Sequence, residues 1–222
     1  MADIFQEVDE ALQKERMEAF WRRWGPWLIA AAVAIVLITA AVVSYKDRRE
    51  QQLTQATNQL MQARNADQPR QALSAFANSA NNPHKSYARL LAAGNALADD
   101  DINKAGQFYS DIIADNAAPA AYQDLARVMA VRVSFERQDR DAEQILTRLE
   151  PVLANNASPW HLHARLQQAV LYGAVKGDYS KGSEILTGLI NEDGVPRSLG
   201  QRARHIKHIY SIYQQQQSGD GA

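Results

Sequence analysis

The feature that most restricts the fold of this chain is an uncharged stretch near its N-terminus. Between Arg23 and Lys46 lie 22 residues without a charge, and nine of the 19 residues from Trp27 to Tyr45 are Leu, Ile or Val. As a helix, a 19-residue segment is about 28 Å long, close to the roughly 30 Å hydrocarbon core of a bilayer. The stretch therefore predicts a transmembrane helix over residues 27–45. Four aromatic residues are expected at its membrane interfaces: Trp21, Trp24, Trp27 and Tyr45.

A buried core helix and a cleaved signal peptide are the two alternatives for this stretch. A core helix without polar residues is out of keeping with the amphipathic helices predicted for the rest of the chain. A signal peptide has a short basic leader, whereas the 26 residues that precede Trp27 include six acidic ones. The pattern therefore favours an uncleaved membrane anchor.

The charges around the anchor do not fix its orientation. Four basic residues lie within about 20 residues of each end, so the positive-inside rule gives a tie. Long domains cross membranes largely regardless of charge, so export of the C-terminal part is allowed but is not established by this rule.

Residues 1–26 form a predicted amphipathic N-terminal segment. Apolar residues recur at helical spacing from Ile4 to Phe20, and acidic residues crowd the first turns, where the helix dipole favours them. The segment either lies on a membrane or partner surface, or is a short helix steadied only by the anchor that follows it. Both interpretations remain open.

Residues 46–217 are predicted to form one helical domain. Alanine occurs 37 times and glutamine 20 times, whereas there are only 11 glycines and 7 prolines, a composition typical of an all-α fold. Helical stretches alternate with eight breaks rich in Pro, Gly, Asn or Asp: 67–69, 81–83, 99–101, 116–119, 138–140, 155–159, 176–178 and 192–196. Five prolines are expected near the first turn of the following helix. Pro151 is expected to kink or interrupt its helix instead.

The helices come in pairs that repeat. Ala105, Ala142 and Gly182 are placed at the start of successive second helices, 37 and 40 residues apart, and each is followed by an aromatic residue or leucine four positions later. Residues with small or medium-sized side chains lie twelve positions before each of these three residues: Ala93, Ala130 and Val170. The pattern is similar to a tetratricopeptide-type array of about three helical hairpins, although the spacings exceed the usual period of about 34 residues. An irregular helical bundle with coincidental spacing is the alternative.

The repeat register also predicts a binding surface. Arrays of helical hairpins bind partners on the concave face formed by the first helix of each pair. In the middle repeat this face is expected to carry Asp124, Arg127, Val131 and Ser134. Such a mixture of charged, small polar and aliphatic residues suits an extended peptide or a loop of a partner.

The end of the chain is predicted to close the array. A helix over about residues 197–215 has apolar residues on one side and polar residues on the other, as a solvent-facing cap requires. Residues 218–222 are expected to be a flexible tail.

The sequence offers no signature of catalysis. There is no cysteine, which excludes disulfides, thiolate nucleophiles and Cys-ligated zinc, and the net charge of −1 gives no general attraction for nucleic acid. No carboxylate or cysteine completes a metal site around His205 and His208, and an N-cap role for Asp101 explains the acidic break before Ile102. No phosphate loop, nucleophile elbow or HExxH motif is present. We therefore expect no catalytic residue, metal, cofactor or small-molecule substrate, and an enzyme is the third-ranked hypothesis.

The order of leader, single anchor and degenerate repeats resembles the ancillary subunits of the bacterial SecYEG translocon, the YfgM-like proteins. The resemblance covers nearly the whole chain, and its clearest pieces are MADIFQEVDEAL, WRRWGPWLIAAAVAIVL and GVPRSLGQRARHI. It implies a single-pass protein of the bacterial inner membrane with a cytoplasmic N-terminus and a periplasmic repeat domain. It also implies association with the Sec translocon and with a membrane-anchored, periplasmic prolyl-isomerase-like chaperone, but assigns no individual contact residue.

The resemblance and the repeats together predict a non-enzymatic, membrane-tethered, chaperone-like module that assists exported proteins in the periplasm. The alternative is a structural scaffold subunit of another inner-membrane or envelope complex, with the same fold and anchor but one permanent partner.

Overall fold

The computed structural model describes residues 38–137 and 141–219. The chain divides into two compact units, Met1–Gln55 and Ala56–Ala222. In the first unit the described residues 38–55 are helical and exposed. Within the described residues, no helix combines the length and the apolar composition needed to cross a membrane. The predicted leader 1–26 lies outside the described residues, and only residues 38–45 of the predicted span lie inside them.

All regular structure in the described ranges is helical, which confirms the predicted all-α class. Helix α1 comprises the helical residues 38–64. The later helices are α2 (Pro69–Ser79), α3 (His84–Ala98), α4 (Ile102–Ile113), α5 (Ala120–Glu136), α6 (Ala142–Leu153), α7 (His161–Val170), α8 (Tyr179–Ile190) and α9 (Arg197–Gly219). A π-helical segment, Leu171–Val175, continues α7.

Three aspartates begin every second helix from α4 onwards. The side chains of Asp101, Asp141 and Asp178 each accept a hydrogen bond from the backbone N–H three residues later, at 3.0, 3.0 and 2.8 Å. Each carboxylate thereby satisfies one of the N–H groups that a helix start leaves unpaired. The predicted cap at Asp101 is confirmed, and the other two caps mark the same position in the next two repeats.

The prolines behave as predicted with one exception. Pro69 opens α2, and Pro83 and Pro119 are the N-cap residues of α3 and α5, positions that need no backbone N–H. Pro151 was predicted to kink or interrupt its helix, and the interruption is wrong, because α6 continues through it to Leu153. Pro151 stands so close to the C-terminal end of α6 that few helical hydrogen bonds depend on the turn it disturbs.

The helices of the second unit lie in two layers. The first helices of the pairs, α3, α5, α7 and α9, contact one another in sequence order, and we call them the first-helix layer. Helices α4, α6 and α8 each pack between two neighbours of this layer, and α2 packs on α3. The three predicted hairpins are therefore α3–α4, α5–α6 and α7–α8, with α9 packed on α8 at the end.

Three buried clusters hold the layers together, and neighbouring clusters draw on the same helices. The first joins α1 to α5 around Phe76, Tyr109 and Ile112. The second joins α5, α6 and α7, and the third joins α7, α8 and α9. Since α5 and α7 each contribute to two clusters, no hairpin buries its apolar side chains alone, as stacking of repeats requires.

The structure corrects the register of the middle repeat. Ala105 and Gly182 each follow the capping aspartate of their helix by four residues. The residue at this position in the middle repeat is Ile145, three residues after the predicted Ala142. In this register the residues four and seven positions after each anchor are all buried: Tyr109, Leu149 and Leu186, then Ile112, Val152 and Leu189. The repeats thus match more closely than the sequence alone indicated, which disfavours an irregular bundle.

The π-helical segment shifts the register of the third repeat by one residue. Val170, twelve positions before Gly182, is only partly buried, whereas Ala169 is fully buried. A Cβ at Gly182 would lie 3.0 Å from the Ala169 carbonyl oxygen. The Lys176 N–H donates to the Leu171 carbonyl five residues earlier, a π-helical bond that accommodates one extra residue before the turn.

Helix α9 closes the array as predicted and is longer than predicted. It packs on α8 through Leu199, Ala203 and Tyr210, and it extends to Gly219. Ser218 and Gly219 therefore belong to the helix and not to a tail. Residues 220–222 lie outside the described residues.

Candidate protein-interaction surface

The exposed part of the first-helix layer carries a pair of stacked tyrosines. Tyr87 lies on α3 and Tyr122 on α5, with ring centroids 6.5 Å apart and planes inclined by 29°. Tyr87 remains 40% exposed although it touches its neighbour. An exposed aromatic side chain that is already held in place loses little conformational freedom when it binds, as favourable contact residues do.

A polar row continues this surface towards α1. The His84 ring nitrogen Nε2 lies 3.1 Å from the Thr57 hydroxyl oxygen, which joins α3 to the described end of α1. Thr57 lies on α1, His84 and Tyr87 lie on α3, and Tyr122 lies on α5. We call these four residues the aromatic row. It combines hydrogen-bonding groups with flat apolar area, a composition suited to a peptide chain.

Asp115 fixes the α4–α5 loop, which leads into the helix that carries Tyr122. Its Oδ2 atom lies 2.9 Å from Lys85 Nζ and 3.6 Å from an Arg89 guanidinium nitrogen, and the Asn82 amide donates to it at 3.3 Å. The hydrogen bond from Lys85 is the largest influence that lowers the pKa of Asp115, and bonds from Asn82 and the Ala117 N–H add to it against a smaller opposing effect of burial. This carboxylate ties the α4–α5 loop to α3 and so holds α5 in place.

Only part of the predicted groove is accessible. Asp124 is partly exposed and accepts a hydrogen bond from the Ser158 hydroxyl at 2.6 Å. Arg127 is partly exposed and has no ion pair within the described residues. Val131 is fully buried in the α5–α6–α7 cluster, and Ser134 is 4% exposed beside Arg148. Expecting these two residues on a binding face was wrong, because α5 packs against α4 on one side and α6 on the other.

The sequence contained a signal for the aromatic row that the repeat register did not use. Tyr87 and Tyr122 follow Pro83 and Pro119 by four and three residues, so both rings stand in the first turns of their helices. Aligning the first helices on these prolines, instead of on the second-helix anchors, brings the two tyrosines to within one position of each other.

Three of the four predicted membrane-interface residues are not among the residues that the structure describes. Trp21, Trp24 and Trp27 lie outside the described residues. Tyr45 lies in the helical part of the first unit and is 68% exposed. Its predicted place at a membrane interface stays a prediction.

Two of the described histidines, His161 and His163, have packing roles. His161 is 8% exposed, with its Nδ1 atom 3.2 Å from the Val152 carbonyl oxygen. The His163 ring lies edge-on to Trp160 at 5.5 Å. Across residues 38–137 and 141–219, no group of three or more His, Cys, Asp or Glu side chains is placed to hold a metal ion.

Comparison with known proteins gives one match. A family model described as a tetratricopeptide repeat-like domain matches residues 18–157, more than half of the chain. No curated protein and no solved structure matches the chain. The matched range ends after α6, so α7, α8 and α9 extend the array beyond it.

Proposed function

The chain belongs to the tetratricopeptide repeat-like family, and we propose that it is a non-enzymatic, membrane-tethered subunit that binds exported polypeptides beside the Sec translocon. The repeat array anticipated from the helix spacing is that of a protein-interaction domain, since arrays of this kind bind proteins along their stacked helices. The family match carries this part of the proposal.

The aromatic row is the proposed contact surface for clients. It combines partly exposed tyrosine rings on α3 and α5 with polar side chains on α1 and α3, so a client segment meets several contact residues as it crosses these helices. Tyrosine suits transient binding because it offers a large amphipathic area for few rotatable bonds. Such contacts are individually weak, which fits clients that must also leave.

Tethering gives weak binding a use. A domain anchored by residues 27–45 stays beside the channel, where its effective concentration for an emerging chain reaches the millimolar range for a short tether. Modest affinity then suffices. The Sec assignment itself is supported by the resemblance of the leader, the membrane entry and the GVPRSLGQRARHI segment to ancillary translocon subunits. The same resemblance supports an inner-membrane location with the repeat domain in the periplasm, next to a prolyl-isomerase-like chaperone.

Deletion of residues 1–46 tests the tether. The deleted form is expected to lose co-purification with the translocon and to keep its helical circular dichroism. A matched control replaces residues 27–45 by an unrelated transmembrane helix and retains the leader, which separates anchoring from specific contacts of the span. Full co-purification of the deleted form would refute the tethering proposal.

Site-specific crosslinking during export tests the contact surface. A photo-crosslinker in place of Tyr87 is expected to give many short-lived adducts with exported chains, and a crosslinker in place of the similarly exposed Tyr213 is expected to give few. One stoichiometric adduct at Tyr87 would instead support a scaffold with a single permanent partner.

A further inference from the structure

Helix α9 differs in charge from every other part of the described domain. Its 23 residues include Arg197, Arg202, Arg204 and Lys207 but no Asp or Glu, although the whole chain carries a net charge of −1. The three arginines are exposed and Lys207 is partly exposed. A net charge of about +4 is thus concentrated on one helix at the end of the array.

The positive charges of α9 have no partners within the fold. Several cations elsewhere in the domain form ion pairs, as Arg165 does with Glu192 and Lys181 with Glu184, although Arg127 forms none within the described residues. None of the four cations of α9 forms an ion pair within residues 38–137 and 141–219. Like charges one or two turns apart on a helix repel each other, so this arrangement does not serve the stability of α9 itself.

Two of the unpaired arginines, Arg197 and Arg204, lie on the side of the helix that faces away from the core. The buried side of α9 is formed by Leu199, Ala203 and Tyr210. At 3.6 residues per turn, Arg197, Arg204 and Ile212 lie within an arc of about 80° on the opposite side, over a length of about 22 Å, and Arg202 lies about 140° around the helix from Arg197, at the edge of the exposed side. Ile212 is 43% exposed and places a branched apolar side chain at the end of that line.

We propose that this exposed side of α9, which we call the basic face, docks an acidic segment of a partner protein. The segment would carry carboxylates towards Arg197 and Arg204 and one apolar side chain towards Ile212, with Arg202 at the edge of the contact. Charge complementarity assigns the sign of the partner. Arginine beside an exposed aliphatic or aromatic residue is also the composition enriched at the centres of protein interfaces. The inference uses α9 alone and stands apart from the aromatic row and its clients.

A lipid surface fits the basic face less well. A helix that binds membranes inserts a broad apolar side into the headgroup region and leaves its basic side outward. The apolar side of α9 is already buried in the domain, and the exposed apolar residues that remain are Ile212 and Tyr213. The basic face therefore lacks the area that membrane insertion needs.

The test measures binding of a fluorescent, glutamate-rich peptide that contains one leucine to the full chain in non-ionic detergent. In the variant Arg197→Gln, Arg202→Gln, Arg204→Gln, the affinity is expected to fall about tenfold, because each exposed charge pair contributes a factor of about two to three. A matched control removes three exposed cations from other helices, Lys104→Gln, Arg132→Gln, Lys181→Gln, and is expected to change the affinity less than about twofold. Circular dichroism verifies that both variants remain folded.

Two further arms separate the possible outcomes. Ile212→Ser is expected to weaken binding of the leucine-containing peptide and to leave an all-glutamate peptide unaffected. Equal losses in the two triple variants would show a general charge effect and overturn the proposal. So would an unchanged peptide affinity of the α9 variant together with weaker binding of that variant than of the wild type to a water-soluble, short-chain phosphatidylglycerol, since that would assign the basic face to lipid.

Discussion

Replacement of Gly173 by alanine tests how α9 is locked onto the end of α7. A Cβ added at Gly173 would lie 2.2 Å from Cζ and 2.5 Å from the hydroxyl oxygen of Tyr210, and its three nearest neighbours all belong to that side chain. Tyr210 is 5% exposed and is also held by Gly182, where a Cβ would meet the ring at 2.8 Å. The ring cannot move aside freely, so Gly173→Ala is expected to cost about 1–3 kcal/mol of unfolding free energy.

The effect of Gly173→Ala on the unfolding free energy is expected to change sign when the Tyr210 ring is removed. In a Tyr210→Ala background the three atoms that lie nearest to the new methyl group are absent. Alanine is favoured over glycine inside a helix by about 0.5–1 kcal/mol, so Gly173→Ala becomes mildly stabilising there. The two measurements are expected to differ by at least about 1.5 kcal/mol, which is the coupling of a double-mutant cycle.

Urea unfolding followed by circular dichroism, in non-ionic detergent, measures all four proteins of the cycle. Gly94→Ala is the control, because Gly94 lies within α3 with no atom within 4 Å of an added Cβ. It is expected to stabilise the wild type by about 0.5–1 kcal/mol. Equal destabilisation by Gly173→Ala with and without the Tyr210 ring would refute the locking argument.

Three further predictions concern single side chains. Burial, assisted by Tyr179, raises the pKa of Tyr210 to about 12 from an ordinary 10.0. The stability that the neutral Tyr210 hydroxyl contributes is therefore complete below pH 10 and is lost as the pH rises towards 12. Tyr210→Phe is expected to remove this alkaline loss in urea titrations at several pH values. Asp115→Asn is expected to cost about 1 kcal/mol at neutral pH. Because the pKa of Asp115 is lowered from 3.8, that difference shrinks as the pH falls below this value, and stabilities that stay parallel down to low pH would contradict the role given to Lys85. Asp141→Ala removes the α6 cap and is expected to cost about 1 kcal/mol in thermal or urea unfolding, whereas Asp141→Asn keeps a capping oxygen and is expected to cost much less.

The helix breaks were predictable because their chemistry is local. Proline, glycine and capping aspartates act within one turn of where they stand, so the sequence places Pro83, Pro119 and Asp101 correctly without knowledge of the tertiary structure. The three hairpins follow, since short breaks between amphipathic helices leave few ways to bury their apolar sides.

The register of the middle repeat and the burial of two of the four predicted groove residues, Val131 and Ser134, were not predictable in this way. Five residues separate α5 from α6, whereas three separate α3 from α4, and fixed spacing from one anchor to the next cannot detect such a difference. The exposure of Val131 depends on α6, which packs over that side of α5. The same limitation applies to the π-helical segment, where a single extra residue moves Ala169 into the place that spacing gave to Val170.

The two sides of α9 should respond separately to mutation, and this separates folding from docking. The buried side contributes Tyr210, whose hydroxyl lies 3.3 Å from the Ala169 carbonyl and 3.4 Å from the Val170 carbonyl, just before the π-helical turn. Removing the ring is expected to lower the unfolding free energy by about 3–5 kcal/mol. Neutralising Arg197, Arg202 and Arg204 is expected to leave it unchanged or to raise it slightly, because those charges repel one another and have no partner in the described fold. A clear loss of stability on neutralisation would mean that the arginines support the fold, and an acidic partner would then not be needed to explain them.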